Sequence, residues 1–186
     1  MSNYYYLASS LPMLKRNEEA QLTTTEFIDA CSMWLSEEEM TLLEELKLIP
    51  ENEEIAPLDS AIDKWDKWET CLRNRIARAR GGKLNRDSEQ YCRYEADCFS
   101  EIERAVQDAL SNPNPLEREK IYHNARWSRL DDIESGHYFD FDMLCVYKIK
   151  LMLREKWNQR QFKQGRERLD LITEQVYKPE EKDNLN

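Results

Sequence analysis

The chain has 186 residues, of which 34% are charged and 40% hydrophobic, with only four Gly and six Pro. Collagenous and Gly-rich linker chains are excluded and a loop-rich β-sandwich is disfavoured, while a chain of this length buries roughly 70% of its unfolded surface, enough for one domain or two small ones. The formal charge of −10 excludes a globally basic nucleic-acid binder, and it is unevenly placed: Asn17 to Glu69 holds sixteen acids against three lysines, net −13, leaving the rest close to neutral.

The opening Tyr4-Tyr5-Tyr6-Leu7-Ala8-Ser9-Ser10-Leu11-Pro12 is aromatic and apolar, and its pattern fits a short strand or a first helical turn. Thr23-x-x-Glu26 and Ser36-x-x-Glu39 read as capping boxes, which predicts short helices over 24–34 and 37–48. Pro50 ends the second, and the acidic stretch from Glu51 to Pro57 reads as a solvated connector.

Asp59 is a good N-cap, and Ile62, Trp65, Leu72, Ile76 and Ala79 form one helical stripe that Gly81-Gly82 should end at Arg80. Tyr91, Tyr94, Cys98, Ile102, Ala105, Val106 and Ala109 predict a second long helix over 87–111, stopped by Asn112-Pro113. Asn114-Pro115-Leu116-Glu117 combines an N-cap, a proline at the first helical position and an early acid, so a third begins there and runs to about 135. Asp140 caps the last, 140–177, in which ten of the thirteen residues from Phe141 to Leu153 are apolar and spread around the wheel, the pattern of a helix buried on most sides. Beyond Trp157 the pattern thins to Phe162, Leu169, Ile172 and Val176, with Gly165 a potential break. The expected fold is therefore all-α: an acidic N-terminal helical section (1–57), a bundle of four longer helices (58–178) and a frayed charged tail (179–186).

Cys31, Cys71, Cys92, Cys98 and Cys145 form an odd set without a C-x-x-C pair or a secretory signal, which predicts reduced thiols and a cytoplasmic setting. No run approaches the roughly 18 apolar residues of a membrane span, so the expected attachment to a membrane is only through a partner.

Arg73, Arg75, Arg78, Arg80, Lys83 and Arg86 form an acid-free basic run, the strongest nucleic-acid or anion signal in the chain. On a helix Arg73 and Arg80 border one side of the apolar stripe and Arg75 and Arg78 lie beyond the other, so they cannot track one phosphate backbone. The favoured reading is that they pair with the acidic N-terminal third; the alternative function is a nucleic-acid or anion-binding module. Arg126, beside Trp127, projects between Tyr122, Leu130 and Ile133 and needs a partner; the favoured reading is an ion pair fixing helix register, the alternative an arginine finger or anion site. Trp68 lies off the stripe centre, which suits a domain junction or partner surface, whereas Trp34, Trp65, Trp127 and Trp157 read as core.

Enzymatic signals are poor. His123 and His137 have no Cys or His at metal-ligand spacing, and no phosphate-binding or nucleophile-elbow motif occurs. Asp131, Asp132 and Glu134 near His137 could serve a metal-dependent hydrolase, but a solvated helix end accounts for them. No catalytic, metal or cofactor residue is assigned, and no small-molecule substrate is expected.

Four blocks together resemble a bacterial family of short proteins encoded in V-type (A/V-type) ATPase operons. They are Tyr4-Tyr5-Tyr6-Leu7-x-x-Ser10-Leu11-Pro12; Trp68-Glu69-x-x-Leu72-Arg73-Asn74 with Ala77-Arg78-Ala79-x-x-x-Lys83-Leu84; Asn114-Pro115-Leu116-Glu117-x-Glu119 with Ala125-Arg126-Trp127-x-x-Leu130-Asp131; and Phe139-Asp140-Phe141-Asp142 through Tyr147-Lys148-x-Lys150-Leu151 to Arg154-Glu155-Lys156-Trp157. The resemblance implies a non-enzymatic structural or assembly part of the rotary ATPase. More distantly, the chain is similar to the central-stalk component of these ATPases that forms the socket between rotor shaft and membrane ring. Rotor or stalk subunits are the implied partners, and the inner face of the membrane the implied location.

Overall fold

A computed structural model describes residues 4–18, 20–50, 59–93 and 99–160. These residues form seven α-helices and no strand: α1 (Tyr5–Ser10), α2 (Thr24–Cys31), α3 (Glu37–Glu45), α4 (Ala61–Leu84), α5 (Ser100–Ser111), α6 (Pro115–Glu134) and α7 (Phe141–Arg160), with a 3₁₀ turn at Glu89–Tyr91. The fold is all-helical, as the composition and periodicity predict. Contacts divide the chain into two units, Met1–Arg154 and Glu155–Asn186; of the second, only the end of α7 is described. The predicted connector over 51–57, the positions of Tyr94 and Cys98, the stripe beyond Trp157 from Phe162 to Val176, Gly165 and the tail over 179–186 lie outside the described residues.

Local chemistry sets most helix starts. Thr23 and Ser36 form reciprocal capping boxes with Glu26 and Glu39, each pair satisfying two free amides. Hydrogen bonds from Thr23 hold the Glu26 carboxyl below its ordinary range. Asn114 caps α6 with Pro115 at its first position, and Asp140 accepts from the Met143 amide at the start of α7. The aromatic opening segment, whose pattern fits strand or helix, is helical over Tyr5–Ser10 and turns extended at Leu11, the residue preceding Pro12.

Helices α2 and α3 end at Cys31 and Glu45, each three residues short of the predicted 34 and 48, and three further boundaries differ from the sequence reading. Ser60, not Asp59, caps α4; Asp59 sits at φ 68° and its amide donates to the Asp63 carboxylate. The helix also passes through Gly81-Gly82 and ends at Leu84, where Asn85 takes the left-handed conformation at φ 49°. Gly81 serves close packing instead of a turn: a Cβ there would stand 2.7 Å from Ser88 Cβ and 2.9 Å from the Arg86 carbonyl. Finally, the second long helix begins at Ser100, not 87. The buried Asn74 explains this, because its side chain donates to the Arg93 carbonyl at 2.8 Å and accepts from the Arg93 amide at 3.0 Å. Both backbone groups of Arg93 are thus held alongside α4 and unavailable to a helical ladder.

Within the first unit α4, α5 and α6 pack on one another. Trp65, Trp68, Leu72, Ile102, Leu130 and Leu144 are among the side chains wholly removed from solvent, and burial of that kind supplies most of the helical stability. In α7 every residue from Met143 to Leu151 is buried, as its all-round apolar pattern predicts.

Candidate interaction site

The predicted site residues separate into internal partners and surface. Arg126 on α6 meets Glu69 on α4 in a fork, Nε to Oε2 and Nη2 to Oε1, both at 2.8 Å. The Glu69 side chain is 1% exposed. Burial alone would depress the Arg126 guanidinium, but the Glu69 charge and hydrogen bonds outweigh it and hold it above its ordinary value. Arg126 is therefore a fastener between two helices. Trp127, one residue on, lies beneath the Lys150 ammonium, 5.6 Å from the ring centroid.

Trp68 requires a correction. It is fully buried, stacks on Trp65 with centroids 5.9 Å apart, and donates its indole N–H to Glu101 at 3.2 Å. Its position off the stripe centre reflects packing toward α5, not a partner surface. Among the described residues the basic run meets acids outside the N-terminal third: Arg75 pairs with Glu103 at 3.0 Å, Arg78 with Glu89 at 3.0 Å and Arg80 with Glu119 at 3.9 Å. These acids follow the run in sequence, because α5, α6 and the returning segment pack against α4. Arg73 and Arg86 lie exposed.

Two cations that bind the N-terminal section, Lys148 and Arg154, come from α7, where sequence reasoning assigns no role, and Arg93 adds a third contact at the Pro50 carbonyl. Lys148 donates to the carbonyls of Leu43, Glu44 and Leu46, closing the C-terminus of α3. Burial pushes its ammonium below the ordinary lysine value. Lys150 meets Glu134 at 2.6 Å and Asp131 at 2.7 Å, and Arg154 donates to the carbonyls of Arg16 and Glu18. Lys148, Lys150 and Arg154 are 4–5% exposed. A signal for them exists in the sequence: a cation within a helix apolar on all sides has to be buried, and a buried cation needs acceptors.

Asp131 and His137 do not form one site. Asp131 is held by Lys150 and, at 3.5 Å, by Arg16, whereas His137 Nδ1 lies 2.6 Å from Asp140. Among the described residues no cluster of His, Cys, Asp and Glu is arranged to hold a metal. Cys31 and Cys145 are buried, which pushes the Cys31 thiol up to about 12 and Cys145 higher still, so both are poor nucleophiles.

Four of the exposed large apolar side chains are adjacent aromatic rings. Phe139, Tyr5, Tyr6 and Trp34 form a row with successive ring centroids 4.9, 5.7 and 6.4 Å apart. Tyr6 is 73% exposed and the other three between 43% and 50%, with Tyr138 and Met33 exposed beside their sequence neighbours. Trp34 thus stands on the surface in the turn after α2, not in the core. The row is anchored from below by Tyr4, whose amide donates to the Phe139 carbonyl at 3.2 Å and whose hydroxyl donates to Glu39 at 2.7 Å. Although burial acts to raise it, the hydrogen bonds from Tyr4 and Ser36 hold the Glu39 carboxyl below its ordinary value. The exposed rings amount to roughly 400 Å² of apolar surface, within the range of the largest patches on monomeric proteins, which often mark binding sites.

No helix among the described residues is long and apolar enough to cross a membrane. Comparisons with known protein families, with curated proteins and with solved structures find no match to this chain.

Proposed function

We propose that this protein is a non-enzymatic structural or assembly component of a bacterial V-type ATPase, binding a rotor or stalk subunit at the cytoplasmic face of the membrane through its exposed aromatic row. The longer helices α4 to α7 act as a rigid bundle that presents this row. One observation carries the reading: most chemistry-bearing side chains singled out in the sequence are consumed in internal pairs and caps, while four adjacent aromatic rings stay at the surface.

The sequence blocks that resemble the ATPase-operon family lend support to the choice of partner. The first and fourth meet at the Tyr4–Phe139 hydrogen bond, and the second and third meet at the Glu69–Arg126 fork. Residues quoted for one resemblance thus form two junctions of one fold. The test is gentle co-purification from the bacterium that encodes the protein. The tagged chain should recover ATPase rotor or stalk subunits, and Tyr6→Ala/Trp34→Ala should lose them; failure of the wild-type chain to recover any overturns the assignment.

A further inference from the structure

The aromatic row borders an acid-lined hollow. A cavity of about 520 Å³ opens where the N-terminal ends of α3, α4 and α7 meet, with the acidic residues Glu39, Asp59, Asp140 and Asp142 and the apolar Leu42 and Ile62 among its lining. Asp140 joins the two surfaces, since it stands between Phe139 of the row and Phe141 of the hollow; Glu39 joins them again through Tyr4. No Lys or Arg lines the hollow among the described residues.

Part of this acid is already used. Asp140 accepts from the Met143 amide and faces His137, Asp142 accepts from the Ala61 amide at 3.1 Å, and Glu39 belongs to its capping box. Helix N-termini explain why carboxylates gather here, because each offers unsatisfied amides and a positive dipole end. Each carboxylate nevertheless retains free lone pairs, and the Asp140 side chain is 48% exposed. The local field at the edge of the row is therefore negative: Glu39 and Asp59 come from the acidic Asn17–Glu69 stretch, and Asp140 and Asp142 join them from the start of α7.

We infer that the row and the hollow together form a docking surface for a basic amphipathic helix of a partner protein, a conclusion that deepens the interaction reading above and rests on it. The row of centroids extends at most about 17 Å, the length of about three helical turns, which suits anchors repeating at i, i+3, i+4 and i+7. Apolar side chains of such a helix would cover the rings, and its lysines or arginines would lie over ring faces and reach the carboxylates. An anionic membrane or a nucleic acid presents the wrong charge to the same edge.

The test uses the full chain and two synthetic amidated peptides of about sixteen residues: one with a leucine face and lysines elsewhere, the other identical but with glutamine for every lysine. Calorimetry at low salt should give at least a roughly tenfold preference for the lysine peptide that shrinks as salt is raised. Tyr6→Ala/Trp34→Ala should weaken both peptides. Asp59→Asn/Asp140→Asn/Asp142→Asn, which keeps an acceptor oxygen at each position, should weaken only the lysine peptide. Equal affinity for the two peptides overturns the inference without needing any variant. So does binding to anionic phosphatidylserine vesicles, or self-association, that the aromatic double variant abolishes. Recovery of ATPase subunits without a lysine preference removes this inference and leaves the proposed function standing; a lysine preference without recovery does the reverse.

Discussion

The Glu69–Arg126 fork allows a quantitative test of how α4 and α6 are joined. Arg126→Met keeps the aliphatic stem but leaves a carboxylate, 1% exposed, without the two 2.8 Å bonds that compensate its burial. At an effective dielectric of about 20 the pair attraction is on the order of 4 kcal/mol, and breaking a buried pair by removing one partner costs about 3–5 kcal/mol, chiefly the uncompensated charge. For a chain of this size that lowers the melting temperature by roughly 6–20 °C. Glu69→Met strands the cation instead, but Arg126 is partly exposed and can turn toward water, so its loss should be smaller. Glu69→Met/Arg126→Met removes both charges and should be more stable than Arg126→Met alone. Urea unfolding followed by tryptophan fluorescence and circular dichroism on all four proteins gives the coupling energy. An Arg126→Met variant within about 1 kcal/mol of wild type, or a double variant equal to the sum of the singles, would refute the reasoning.

Asp66 supplies a pH-dependent prediction. Burial, then Asp63 and Glu69, push its carboxyl up to about 7. The folded chain therefore holds a proton that the unfolded chain releases near pH 4, and the associated stability is present at low pH and lost as pH rises toward 7. The unscreened value is about 4 kcal/mol, which partial exposure reduces to about 1–2 kcal/mol. Asp66→Asn should thus stabilise the chain at pH 8 and progressively less toward pH 5, read from urea midpoints; a gain that grows on acidification contradicts it. The two adjacent glycines of α4 should respond oppositely to alanine. Gly81→Ala meets Ser88 and the Arg86 carbonyl and should cost about 1–3 kcal/mol, whereas Gly82→Ala meets nothing within 4 Å and should gain about 0.5–1 kcal/mol. Thermal melts of the two variants moving in the same direction would refute this account of the Gly pair.

Legibility from sequence follows the range of the interaction. Capping boxes and the Asn114-Pro115 start act within four residues, so the beginnings of α2, α3 and α6 are readable at Thr23, Ser36 and Asn114. The all-round burial of α7 is readable too, since ten apolar residues in thirteen leave no polar face. The end of α4 is not, because Gly81 answers to Ser88 across a close contact, which a local rule treats as a stop. The start of α5 escapes for a similar reason: Asn74, nineteen residues away, competes for the Arg93 backbone. Hydrophobicity alone fails for tryptophan. Trp68, off its stripe centre, is sealed by Trp65 and Glu101, while Trp34, read as core, lies open beside Tyr6.

Charge placement leads to a different division of labour from the one the sequence suggests. An acidic N-terminal third and an arginine run look like complementary halves, but Arg75, Arg78 and Arg80 also pair with acids that follow them. The N-terminal section is held by carbonyls: Lys148 and Arg154 bind backbone oxygens of α3 and of the loop after α1, and the Tyr147 hydroxyl donates to the Pro12 carbonyl at 2.7 Å. Backbone acceptors carry no net charge, so these bonds themselves neutralise none of the section's acids. The same bonds that fix the section on α7 therefore preserve a negative edge around Tyr6 and Trp34, and that negative edge is what a basic partner helix requires.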